Sequence, residues 1–222
     1  MAILRPAPAA PRRVRGLCYD PALACAHLAA ADPVLAEVID RTGACTLRPP
    51  WTRTLFDALM RSIVYQQLNG KAADTILSRV VARYAPARSL EPAALLATDD
   101  AVLRSAGLSR NKTAALKDLA RHALAGTIPS PAEARVLSDD KLVERLTVVR
   151  GIGRWTVEML LIFRLGRPDV LPVGDFGVRK GFQRAYGMRR LPAAVTIQRR
   201  AERWRPYRSV ASWYLWREAE RR

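Results

Sequence analysis

Two short segments carry residue types at spacings suited to chemistry. In LTVVRGIGRWTVEMLL, an apolar helical stretch ends near Leu146, Gly151-Ile152-Gly153 follows, and a second helical stretch opens near Thr156. Two glycines let the backbone turn tightly with no Cβ in the way, so amides at the start of the next helix face an anion such as a phosphate. A Gly-x-Gly triplet by itself suits an ordinary turn between helices equally well. The flanks favour the anion site: Leu146 and Ile152 supply apolar packing, and Arg150 and Arg154 add positive charge beside the amides. In the second segment, VLPVGDFGVRKGF, a Pro-containing extended stretch leads into a helix from about Asp175 to Tyr186, and Asp175 reads as its N-cap.

Other chemistry is poorly provided for. The two histidines, His27 and His122, lie in Ala- and Leu-rich helical stretches, which argues against His-dependent nucleophilic or metal catalysis. Cys18, Cys25 and Cys45 are an odd number with neither CxxC spacing nor accompanying histidines, so they read as reduced packing residues.

Composition identifies the kind of partner. The 222-residue chain carries 37 Lys plus Arg against 20 Asp plus Glu, a net charge of +17 and a pI of about 11.0. Clustered cations gain affinity for nucleic acid by releasing the counterions condensed on its phosphates, with an anionic membrane surface as the rival partner. Hydrophobic residues make up 50% of the chain and the charge is spread along it, which describes a folded basic protein. The opening MAILRPAPAAPRRVRG lacks the apolar run of a signal peptide, and no later segment approaches membrane-spanning length. The expectation is a soluble cytoplasmic protein of bacterial type, associated with the nucleoid.

The positioning elements are helices, with no convincing β-alternation. Leu55, Phe56, Leu59, Met60, Ile63 and Val64 form one apolar face; Ala72, Ala73, Ile76, Leu77, Val80, Val81 and Tyr84 form a second after the break at Asn69-Gly70. Thr98 is expected to cap a helix ending before Gly107, Ser109 one ending before Gly126, and Ser138 the stretch through Leu142 and Leu146. Gly166, Arg167 and Pro168 stop the helix after the Gly-x-Gly turn. The last segment, from Thr196, is helical and rich in aromatics: Trp204, Tyr207, Trp213, Tyr214 and Trp216.

With those residues in view, the chain resembles the helix-hairpin-helix (HhH-GPD) DNA glycosylases, in which the hairpin precedes a Gly/Pro-rich loop and an essential aspartate. Three further blocks, RSIVYQQLNGKAA, GLSRNKTAALKDLA and RWRPYRSVASWYLW, make the AlkA type, 3-methyladenine DNA glycosylase II, the nearest likeness. The blocks occur in the right order from about residue 50 to residue 217.

The resemblance implies a catalytic role for Asp175: a carboxylate near C1′ stabilises the developing sugar cation and orients or deprotonates water. A purine methylated at N3 or N7 is already cationic and departs without a protein acid, and such a base suits an aromatic pocket. By family position Trp155 and Trp216 lead the base-pocket candidates, with Tyr65, Met159, Phe176 and Tyr214 behind them. Trp155 also stands where bifunctional relatives carry a lysine nucleophile, which implies a hydrolase with no AP lyase activity. Gln67 and Leu68 both stand where the family inserts a wedge into the gap left by the flipped nucleotide. Gly151, Gly153, Arg154, Thr156, Asn69, Lys71 and Arg179 are the expected DNA-backbone contacts, and Arg110, Lys112, Lys117 and Lys180 further cations of that kind. No cofactor is implied, and the four-cysteine iron–sulfur motif of some relatives is missing; whether a monovalent cation sits at the hairpin stays open. Gly174 replaces a second aspartate of the AlkA type and Met159 an aromatic, and the segment before residue 50 is too short for that type's N-terminal β-rich domain.

The expected architecture is all-α, with two helical subdomains flanking a DNA-binding cleft that holds Asp175. Residues 52–167 form one subdomain, with the hairpin at about 146–165; residues 13–51 plus 168–222 form the other; and residues 1–12 are a flexible basic, Pro-rich N-terminus. The expected activity is base-excision repair as a monomer on damaged double-stranded DNA, away from membranes, by flipping and releasing 3-methyladenine or 7-methylguanine. A non-catalytic helix-hairpin-helix DNA-binding module, or a glycosylase for a neutral deaminated or etheno base, are the alternatives.

Overall fold

The computed structural model describes residues 16–49, 54–85 and 90–221, and the expected N-terminal segment 1–12 lies outside them. Secondary structure in the described residues is helical throughout, without strands, as the periodicity leads one to expect. In chain order the α-helices are α1 (Pro21–Ala31), α2 (Pro33–Thr42), α3 (Leu55–Tyr65), α4 (Gly70–Ala82), α5 (Pro92–Ala97), α6 (Asp100–Ser105), α7 (Arg110–Leu124), α8 (Pro131–Val136), α9 (Asp139–Leu146), α10 (Arg154–Phe163), α11 (Phe176–Ala185), α12 (Ala194–Ala201) and α13 (Arg208–Glu220), with a 3₁₀ turn at Glu202–Trp204. They divide into two compact units, Pro50–Leu165 and the pair of segments Met1–Pro49 and Gly166–Arg222. None of these helices is long and apolar enough to cross a membrane.

Helix starts follow local chemistry. Ser109 accepts from Lys112 N, Ser138 from Lys141 N, Asn69 from Ala72 N and Asp175 from Val178 N, each satisfying an amide that the first helical turn leaves without an intrahelical partner. Thr98 does not cap α6 as expected: Asp99 does, accepting from Ala101 N. The Thr98 hydroxyl is drawn away, donating to Ala94 O in the middle of α5 and lying 2.7 Å from the Tyr84 hydroxyl.

In the unit spanning Pro50–Leu165, α3 packs against α4, α7 and α10, and α10 against α9. The α3 face is buried as its pattern requires, Leu59, Ile63 and Val64 completely, whereas α4 fully buries only Ala73 and Val80. In the discontinuous unit, α13 packs on α11, α2 and α1. Its polar centre is Asp32, fully buried, which caps α2 through Val34 N and accepts from Arg200 (2.8 and 2.9 Å), the Tyr186 hydroxyl (2.7 Å) and Trp204 Nε1 (3.0 Å). Burial alone would raise this carboxyl's pKa; the donors from Arg200, Tyr186 and Trp204 outweigh it and hold the group well below the usual carboxylate range.

Two glycines in α11 set its distance from α13. A Cβ on Gly181 would overlap the Leu215 carbonyl, and one on Gly177 would stand 2.7 Å from Trp216 Cδ1. The four-residue spacing puts both on one face of α11, so backbone meets backbone there and the Trp216 indole lies across the first turn. Cys18, Cys25 and Cys45 all belong to this unit, and Cys18 is exposed instead of packed.

Candidate functional site

In the discontinuous unit the focus is Asp175. Its Oδ1 accepts from Val178 N at 2.8 Å, which makes it the N-cap of α11, and from Trp216 Nε1 at 2.8 Å. Two N–H donors on one oxygen fix the orientation of the carboxylate, and the helix N-terminus places a positive dipole end beneath it. Phe176, the next residue, is 69% exposed, and Gly174, before it, has nothing within 4 Å of where a Cβ would stand. Open space beside an oriented carboxylate is what an incoming sugar requires.

Tyr214, expected in the base pocket, is instead part of the core. It is 0% exposed, its hydroxyl donates to Gly43 O at 2.9 Å, and it lies 3.1 Å from Cys25 Sγ; burial pushes its pKa up. Two positions along α13 from Trp216, it points to another side of the helix. Arg179 is half-buried and its Nε donates to Pro192 O at 3.1 Å, while Lys180 Nζ donates to Gln183 at 3.0 Å.

In the other unit the Gly-x-Gly turn joins α9 to α10, as a helix-hairpin-helix requires. Gly151 has φ +81°, the left-handed region glycine reaches without steric cost. Gly153 has an ordinary φ of −96° and is the N-cap of α10; it has no side chain to cap the helix, and a Cβ there would meet nothing within 4 Å. The two glycines therefore serve different needs, one the turn and the other an open approach to the amides of α10. Arg154 is exposed and reaches Glu158 at 3.8 Å. Thr156, expected at the DNA backbone, is 5% exposed with its side chain packed inward, and its place in the first helical turn is what relates it to the anion site. Trp155 is 50% exposed and Met159 half-buried.

The turn between α3 and α4 is exposed from Gln67 to Gly70, with Leu68 38% exposed. Gln67 has φ +57°, the only non-glycine in the left-handed region among the described residues, and such strain concentrates at functional sites. Asn69 uses its side chain to cap α4, and Lys71 is exposed just after it. Tyr65 is half-buried and turned toward α4, donating to Asp74 with Arg61 4.0 Å over its ring. Two of the further cations are committed internally: Lys112 Nζ donates to Val64 O at 2.7 Å, and Lys117 pairs with Asp100 at 2.5 Å. Burial lowers the Lys112 pKa.

The glycine pair at 177 and 181 and the Gln66 side chain, which donates to Gly151 O at 2.8 Å, were not singled out in the sequence. The Gly-x-x-x-Gly spacing was a visible signal for the first; nothing local marks the second.

The comparisons define the class. Residues 60–206 match the family model described as the HhH-GPD superfamily of base excision DNA repair proteins, and the chain belongs to that superfamily. Within it, the chain is 37% identical over 165 residues to DNA-3-methyladenine glycosylase 1 of Schizosaccharomyces pombe, covering 74% of this chain and 72% of that one. Among solved structures it is similar to the S. pombe 3-methyladenine DNA glycosylase in complex with abasic DNA (TM-score 0.74, 34% identity, 88% of this chain and 95% of that chain). It is similar also to a DNA-3-methyladenine glycosidase from Bacillus halodurans (TM-score 0.79, 34% identity, 88% of each chain).

Proposed function

We propose that this protein is a DNA glycosylase of base-excision repair that flips an alkylated purine, 3-methyladenine or 7-methylguanine, out of duplex DNA and hydrolyses its N-glycosidic bond. The observation that carries the reading is the oriented carboxylate of Asp175, held by Val178 N and Trp216 Nε1 in a chain that belongs to the HhH-GPD superfamily and resembles named 3-methyladenine glycosylases.

The chemistry follows from charge. The alkylated purine carries a positive charge; as the C1′–N bond breaks, its electron pair neutralises the base and positive charge passes to the sugar. Asp175 stabilises that charge electrostatically and accepts a proton from the water whose oxygen bonds to C1′. Fixed dipoles and an oriented carboxylate need no reorganisation at the moment of reaction. By family position Trp155 and Trp216 each offer an electron-rich face to a cationic base, and Phe176 follows the reacting carboxylate in sequence.

DNA is gripped by the first turn of α10 around Gly153, with Arg154 and Lys71 adding charge, and the Gln67-Leu68 turn enters the stack. These are contacts to backbone and gap, so they are independent of sequence. Since an indole at Trp155 cannot form a Schiff base, the product is an abasic site with the strand intact.

The test is base release from alkylated duplex DNA. Asp175→Asn is expected to lower release by roughly two to four orders of magnitude while DNA affinity persists. Undiminished release overturns the catalytic assignment. Borohydride treatment during turnover is expected to trap no covalent protein–DNA adduct; a trapped adduct overturns the hydrolase reading.

A further inference from the structure

The turn at Gln67-Leu68 and the turn at Gly151 lie far apart in sequence, yet a single side chain joins them. Gln66 follows the last residue of α3 and has left the helix (φ −54°, ψ 131°); its Nε2 donates to the Gly151 carbonyl at 2.8 Å. That carbonyl belongs to the residue whose φ of +81° makes the hairpin turn. On the other side of Gln66 stands Gln67, held at φ +57°.

Helix α7 braces the same two places. Lys112 Nζ donates to Val64 O at the end of α3 (2.7 Å), and Asp118 accepts from Arg150 N in the hairpin at 2.9 Å. Each donor or acceptor here meets a backbone group that an α-helix end or a tight turn leaves without a helical partner. A one-turn shift of the α3 end would break the Gln66 and Lys112 bonds together, and one of the hairpin the Gln66 and Asp118 bonds.

We propose that Gln66 is a positioning residue that ties the wedge turn to the phosphate-binding hairpin, so that the side chains entering the stack keep a fixed register to the amides holding the backbone. This rests on the reading of Gln67-Leu68 as the wedge. With the tie in place, gripping the phosphate fixes where the gap is filled, and a nucleotide is held out of the stack at one defined distance from the hairpin. Without it the hairpin still grips DNA, but the turn relaxes from its strained conformation and fills the gap poorly.

Gln66→Met tests this, because it keeps nearly the same length and removes the donor. Three quantities are measured on the full chain: affinity for an undamaged duplex, the fluorescence rise of a 2-aminopurine placed beside the lesion as a reporter of flipping, and the thermal midpoint. The expected result is unchanged affinity and midpoint with a loss of roughly five- to tenfold in the flipping equilibrium, the scale of one hydrogen bond. Unchanged flipping overturns the inference, as does an equal loss of affinity and flipping, which is what simple support of the hairpin would give. The double variant Gln67→Ala with Leu68→Ala separates the premise from the inference. Wild-type flipping in it removes the wedge reading itself; lost flipping there with normal flipping in Gln66→Met removes only the role of Gln66.

Discussion

Trp216 Nε1 stands 2.8 Å from Asp175 Oδ1, the same oxygen that caps α11 through Val178 N. The indole reaches it because α11 presents Gly177, with no side chain, beneath the ring. An aromatic assigned to the base pocket by family position is thus also a donor to the candidate catalytic carboxylate, and the two roles separate by substitution. Trp216→Phe keeps a ring and removes the donor. A hydrogen bond to a charged group is worth about 1.5–3 kcal/mol, so single-turnover base release is expected to fall about 10- to 150-fold with affinity for lesion-containing DNA little changed. Lost affinity with an unchanged chemical step would assign Trp216 to stacking alone.

The glycine face of α11 makes a steric prediction. Gly177→Ala puts a Cβ 2.7 Å from Trp216 Cδ1 and 3.1 Å from Asp175 Oδ1, so activity is expected to drop more than stability does. Gly181→Ala meets the Leu215 backbone, which cannot move aside as a side chain can, and should cost about 1–3 kcal/mol or more. In a chain of this size that is a fall of about 2–4 °C in the thermal midpoint per kcal/mol. Gly174→Ala, with open space around its Cβ, is the control and should leave the midpoint unchanged.

The two hairpin glycines should separate as well. Gly151→Ala forces φ +81° on a residue with a Cβ, and about 1 kcal/mol or more of stability is expected to be lost in denaturant titration. Gly153→Val meets no clash within the protein, so stability should fall only by the cost of a poorer N-cap, about 1 kcal/mol, while affinity falls alike for all DNA sequences, by obstructing the approach of a phosphate to α10. Sequence-selective loss would argue against a backbone contact.

Asp32 ties stability to acid. Its carboxyl is held below the usual range in the folded state, so the stability it contributes is present above the unfolded pKa of about 4 and is lost as pH falls through the lower folded value. Removing one partner of a buried charge network costs about 3–5 kcal/mol, and Asp32→Ala is expected to lose that much at neutral pH. Urea melts at neutral pH and near pH 3 check this: the difference between wild type and variant should shrink in acid.

Much of this molecule was legible beforehand because the deciding interactions are short-range. Caps at Ser109, Ser138 and Asp175 bond amides three residues on, and a Gly-x-Gly turn needs only its own backbone, so composition and spacing determined the helices, the hairpin and, through the order of its motif blocks, the family. Thr98 shows the limit even there: its hydroxyl bonds Ala94 O and approaches Tyr84, and its neighbour Asp99 caps α6 instead.

What tertiary structure alone decided is where long side chains end. Trp216 and Tyr214 are neighbours in one aromatic segment, but one reaches Asp175 across 41 residues and the other is sealed in the core against Gly43. Lys112 and Lys117, indistinguishable by type from solvated cations, go to Val64 O and Asp100, and Gln66 spans 85 residues to the Gly151 carbonyl. A side chain's own residue type fixes what it is able to bond, but its partner is supplied by whichever distant backbone or side-chain group the packed helices bring within 3 Å. The sequence determined that a carboxylate would begin α11 after a glycine hairpin; only the close packing of α11 on α13 gave that carboxylate its second donor.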